Sequence, residues 1–160
     1  MSRYNVLIAR LDQELAKIQT SVQAAVSQVT KAQNTGDVDY LQAAALSMQN
    51  FYIGVEQVFE EIAKHIDESM PTGASSHREL LEQMALNLPD IRPPVIGQET
   101  LARLNEYRGF RHVVIHRYGF ELYPDRIQEL VEVLPECSDL LSTDIRVFCE
   151  FLMQLHQSLS

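Results

Sequence analysis

With 160 residues, 46% of them hydrophobic and 22% charged, the chain has the make-up of one ordinary globular domain over residues 1–160, large enough to bury a substantial core. A formal net charge of −9 excludes a protein that coats nucleic acid with its whole surface, because phosphate contact demands positive charge wherever it occurs. The two cysteines, Cys137 and Cys149, form neither a metal-ligand spacing nor a disulfide framework, and no stretch approaches the roughly 18 apolar residues of a membrane span; a cytoplasmic location without membrane contact is expected.

Taken in order, Tyr4, Ile8, Leu11, Leu15, Ile18, Val22, Ala25 and Val29 recur every three or four positions, which predicts a first helix of about 30 residues. It should end near Asn34-Thr35-Gly36. Asp37 is a good cap for a second, antiparallel helix carried by Val38, Leu41, Ala45, Met48, Tyr52, Val55, Phe59, Ile62 and Ile66. Gly54 inside it sacrifices helix propensity and so suggests a close helix contact. Asn50 and Glu56 are polar positions near its apolar stripe, read either as groups at the bundle edge or as groups that orient the chemistry described below.

Met70-Pro71-Thr72-Gly73 breaks the pattern, and Ser75 or Ser76 can cap a shorter helix through roughly Leu88. The segment from Leu88 to Gly97 holds three prolines and one glycine and reads as an apolar loop. A fourth helix is expected over Gln98 to Arg117, with Gly119 as its stop. After a short connection over Phe120 to Tyr123, Pro124 opens the last helical region, which Pro135 should kink or divide in two. No segment has the period of a strand. The expectation is an all-α, up-and-down bundle of four to five helices. Phe51 and Val58 sit beside the main stripe of the second helix, leaving apolar surface for a partner, and a homodimer is expected.

The chemistry is concentrated in residues 103–117, which hold Arg103, Arg108, Arg111 and Arg117 against a single acid, Glu106. That window carries +3, leaving −12 for the rest of the chain. A cationic island in an acidic protein points to an anion site, with phosphate the commonest case. Leu101, Leu104, Tyr107, Phe110 and Val114 give the window a helical stripe. On a helix, Arg111 and His116 stand about 7.5 Å apart along the axis and about 140° around it. An antiparallel second copy of this helix across a two-fold axis would bring two such pairs into one cleft. Tyr118 falls on nearly the same stripe as Arg111.

Arg111-His112-Val113-Val114-Ile115-His116-Arg117-Tyr118 resembles the Arg-polar-x-x-x-His motif of HEPN-domain ribonucleases, with the His-x-Tyr ending of HepT-like toxins. His112 stands where Asn is commoner in that motif. In a chain with ten Arg, five His and six Tyr, Arg-x4-His-x-Tyr should arise by chance only about 0.01 times. The resemblance implies a HEPN-like bundle and a metal-independent endoribonuclease toxin that leaves 2′,3′-cyclic phosphate ends. It also implies a cognate nucleotidyltransferase antitoxin that attaches AMP to Tyr118. An attached nucleotide would then place a phosphate where substrate phosphate must bind.

Read as residues, His116 has an ordinary pKa suited to proton transfer near neutrality, and Arg111 can hold two phosphate oxygens. Arg108, His112 and Arg117 are candidate supports or RNA-phosphate contacts, or simply solvated charges. His112 and His116 are also spaced as a helical metal pair, but no third ligand cluster completes it, and neither metal nor cofactor is expected. The other class of function compatible with these residues is a non-catalytic bundle that binds a nucleotide or a partner protein through the Arg-rich helix.

Overall fold

The computed structural model describes residues 3–116 and 124–159, the side chains of 111–116 and 156–159 excepted. Its helices are α1 (Asn5–Thr35), α2 (Asp39–Ile62), α3 (Ser76–Met84), α4 (Gln98–His116) and α5 (Pro124–Leu159). Among the described residues the only extended pairing is an isolated bridge between Leu88 and Arg92, so the fold is the expected all-α bundle.

The helical hairpin of α1 and α2 forms as its sequence predicts. Gly36 takes the left-handed conformation, φ 71°, and returns its amide to the Ala32 carbonyl, the C-terminal stop for which glycine is suited. Asp37 then accepts the amide hydrogen of Asp39 at 2.9 Å. Arg10 meets Glu61, Ile18 meets Gly54 and Gln28 meets Ser47, a descending series that makes the two helices antiparallel. Gln19 faces Ser138 across the bundle. Further along α1, Val29 and Thr30 share a cavity wall with Gln128 and Val131, so α5 also runs antiparallel to α1. α4 is in turn antiparallel to α5, and α1, α2, α4 and α5 alternate in direction with α3 as a short connector.

α2 is the central element, packed against α1, α3, α4 and α5. That position corrects one expectation. Phe51 and Val58 are both 0% exposed, because α4 and its neighbours cover the flank of α2 that the stripe left over; neither residue is surface for a second copy.

Three boundaries also differ. α2 ceases to be α-helical after Ile62, and residues 63–67 form a π-helical turn closed by Glu68 at φ 54°. α3 stops at Met84 rather than near Leu88, because the Met84 carbonyl accepts the amides of Val95 and Ile96 instead of continuing a helix. Ser75 occupies its N-cap position without a side-chain capping bond. Finally, α5 is one helix of 36 residues with Pro135 inside it. Leu130, Val131 and Leu134 before the proline and Cys137, Leu141 and Ile145 after it are all buried. Burying that stripe outweighs the roughly 3 kcal/mol that an interior proline costs.

Gly54 permits the closest approach in the hairpin: a Cβ there would lie 2.7 Å from Ile18 Cγ1. Alanine elsewhere in a helix gains about 1 kcal/mol over glycine. Here overpacking of about 1–3 kcal/mol opposes that gain, and Gly54→Ala is expected to lower the urea midpoint of unfolding; an unchanged or raised midpoint would show that the helices can separate freely at this point.

Candidate functional site

α4 carries the cationic window, and its position is set before its first turn. Arg92, in the loop leading to it, is buried with Asp67 of the π turn, their side chains 0% and 1% exposed. Its Nε and Nη2 donate to the Asp67 carboxylate at 2.6 and 2.8 Å, and its remaining N–H groups reach the carbonyls of Leu86, Pro93 and Gln83. Gln83 also donates to Asp67. A buried charge pair is tolerable only when its polar atoms are satisfied in this way.

Asp144 of α5 then caps the start of α4 from across the bundle. Its Oδ2 accepts the Gly97 amide hydrogen at 3.0 Å and the Thr100 hydroxyl at 2.6 Å. Opposite charge at the positive end of a helix adds to those bonds. Halfway along α4, Tyr107 is buried edge-on against Phe51, with centroids 5.5 Å apart, and its hydroxyl donates to the Leu130 carbonyl at 2.6 Å. Burial raises the Tyr107 phenol above its ordinary pKa, so it remains the donor that this bond requires.

The arginines of the window are not equivalent. Arg103 lies between Glu99 and Glu136, at 3.5 and 3.2 Å, and is committed to those carboxylates. Arg108 donates through Nε to Asn105 at 2.9 Å, a neutral partner that leaves its charge uncompensated by any acid among the described residues. The helix continues through Arg111, His112 and His116, so the helical separation read from the sequence applies to their backbone. Their side chains, and Arg117 and Tyr118 altogether, lie outside the described residues. Asn50 is exposed. Glu56 is buried, with Oε2 2.5 Å from Nδ1 of His77 on α3. Among the described residues no group of three or more His, Cys, Asp and Glu is arranged to hold a metal ion, and no helix is long and apolar enough to cross a membrane.

Sequence reading missed Arg92, Asp67 and Asp144. Each is a single charged residue on a polar face or in a loop, and nothing in its immediate neighbours marks it as buried or as a cap for a distant helix. Tyr107 was visible as a core position, but its hydroxyl bond was not.

Asp144→Ala removes both capping bonds and should cost about 1 kcal/mol, read as faster amide hydrogen exchange over residues 97–104 with α1 unaffected. Burial also pushes two thiols of α5 up from 9.0, Cys137 near Arg103 and Glu106 of α4 to about 12 and Cys149 near Asp12 of α1 to about 11. The folded chain therefore holds protons that the unfolded chain releases above pH 9, so these thiols favour folding fully below that pH and progressively less between 9 and their folded values. Replacing both by Ala should flatten the alkaline fall in urea midpoint between about pH 8 and about pH 10.5; an unchanged slope would assign that fall to other groups.

Comparison with known proteins matches residues 43–152 to a family model described as HepT-like protein. The match covers most of α2, all of α3 and α4, and most of α5. No curated protein and no solved structure matches the chain.

Proposed function

Because the chain belongs to the HepT-like protein family, we propose that it is the toxin of a toxin–antitoxin pair, a metal-independent endoribonuclease. The observation that carries this reading is the Arg-x4-His-x-Tyr sequence over residues 111–118, inside the matched span, of which Arg111 to His116 close α4. Its support is physical as well as familial. α4 is fixed at its start by Asp144 and at its middle by Tyr107, giving the motif a rigid base.

In the proposed reaction the 2′-oxygen of RNA attacks the adjacent phosphorus. The 2′-O–P bond forms, the P–O5′ bond breaks, and a 2′,3′-cyclic phosphate and a 5′-hydroxyl result. His116 takes the 2′-hydroxyl proton or delivers one to the departing 5′-oxygen, and Arg111 neutralises the charge that builds on the phosphorane. A homodimer that pairs two α4 helices would supply one histidine for each proton transfer. Arg108, His112 and Arg117 support the motif or hold flanking phosphates. AMP attached to Tyr118 by a nucleotidyltransferase antitoxin would occupy the same cationic site and shut it.

Incubation of the wild type, Arg111→Ala and His116→Ala with total RNA in excess EDTA tests the assignment. The wild type alone should cut and leave cyclic phosphate ends, each substitution reducing the rate by at least about 100-fold. Cutting by either variant at the wild-type rate would remove that residue from catalysis. A wild type that is unmodified at Tyr118 by mass and still inactive would favour the binding-module reading.

A further inference from the structure

A second cationic cluster lies outside α4. Arg3, just before α1, Arg10 within it, and Lys64 and His65 of the π turn line one cleft of about 340 Å³, together with Tyr4 and Glu68. Glu61 holds Arg10 at 3.5 Å and His65 at 3.3 Å. Arg3 lies 5.8 Å over the Tyr4 ring, and neither Arg3 nor Lys64 has an ion-pair partner among the described residues. With Glu61 and Glu68 included, the cleft keeps one net positive charge, or two when His65 is protonated, on a chain whose total is −9. The first turn of α1 adds no acid to offset it.

The cleft and the motif are at opposite ends of the bundle. From Leu7 in the cleft, α1 rises through about 39 Å to Gln33, beside the start of α5. Tyr107 meets α5 at Leu130, on that same upper level, and α4 runs on upward from there to His116. We infer that the cleft is a second phosphate contact for RNA bound at the motif, which makes the substrate an RNA long enough to reach both ends. At ~3.4 Å per nucleotide of stacked strand, the span, including the rise of α4 from Tyr107 to the motif, is roughly twelve to fifteen nucleotides. This rests on the ribonuclease reading above. Arg and Lys that answer to no carboxylate are suited to phosphodiester oxygens, and contact at two separated patches lets an acidic protein hold RNA without a basic surface throughout.

The test is steady-state cleavage of single-stranded RNAs of about 6 and about 24 nucleotides by the wild type and by the Arg3→Gln/Lys64→Gln double variant. Both positions are exposed, and circular dichroism verifies the fold. For the long RNA, KM should rise while kcat holds, and the slope of log affinity against log salt should fall by about 1.4, or 0.7 for each lost phosphate contact. For the short RNA neither constant should move. An unchanged KM for the long RNA, or an equal rise for both lengths, would overturn the inference and leave the ribonuclease reading standing. If the wild type, unmodified at Tyr118 by mass, cuts neither RNA, the ribonuclease reading fails on its own. Binding of a non-cleavable RNA of about 24 nucleotides then decides the cleft, and undiminished binding by the double variant rejects it.

Discussion

The buried Arg92–Asp67 pair is the constraint on which the arrangement of this bundle rests. A guanidinium has five N–H donors, and Arg92 directs them to both Asp67 oxygens and to the carbonyls of Gln83, Leu86 and Pro93. One side chain thereby joins the end of α2, the end of α3 and the loop that leads to α4. Two of the acceptors, the carbonyls of Gln83 and Leu86, lie where α3 ends and the chain turns away from the helix. The π turn belongs to the same unit: it is the segment of chain that carries Asp67 inward.

From that anchored loop, α4 packs against α2 and α3, and its hydrogen bonds to the rest of the bundle run to α5. Asp144 fixes its first residues, Glu136 holds Arg103, and the Leu130 carbonyl receives the Tyr107 hydroxyl. These contacts also sort the cations. Arg92 is consumed by folding and Arg103 by its two carboxylates, whereas Arg3, Lys64 and Arg108 form no ion pair among the described residues. Formal charge counted along the sequence treats all of them alike, and only the fold separates structural cations from those free to meet a ligand.

What the sequence revealed and what it hid follow the range of the forces involved. The stripes of α1 and α2, the stop at Gly36 and the close contact at Gly54 are local or periodic signals, and all three appear in the structure. The helical course of the chain from Arg111 to His116 was also legible, as was the family resemblance carried by Arg111, His116 and Tyr118. Phe51 and Val58 misled because a stripe can show that a flank is apolar but not which neighbour covers it. Pro135 does not divide the last helix, one of the two outcomes expected of it, because a local penalty is outweighed by long-range burial on both sides of it. Asp144 could not be found from sequence, since its partners Gly97 and Thr100 lie more than forty positions earlier.

That separation has a bearing on how the protein is made. Every hydrogen bond described above between α4 and α5 has its α5 partner C-terminal to the motif, with Leu130, Glu136 and Asp144 all following His116. During synthesis the Arg-rich helix is therefore made before the residues of α5 that steady it. At about 5–20 residues per second, Asp144 is added roughly 1 to 6 s after His116. The order of the chain thus delays the anchoring of α4 until α5 has been made, so the Arg-rich helix is among the last parts of the bundle to be fixed in place.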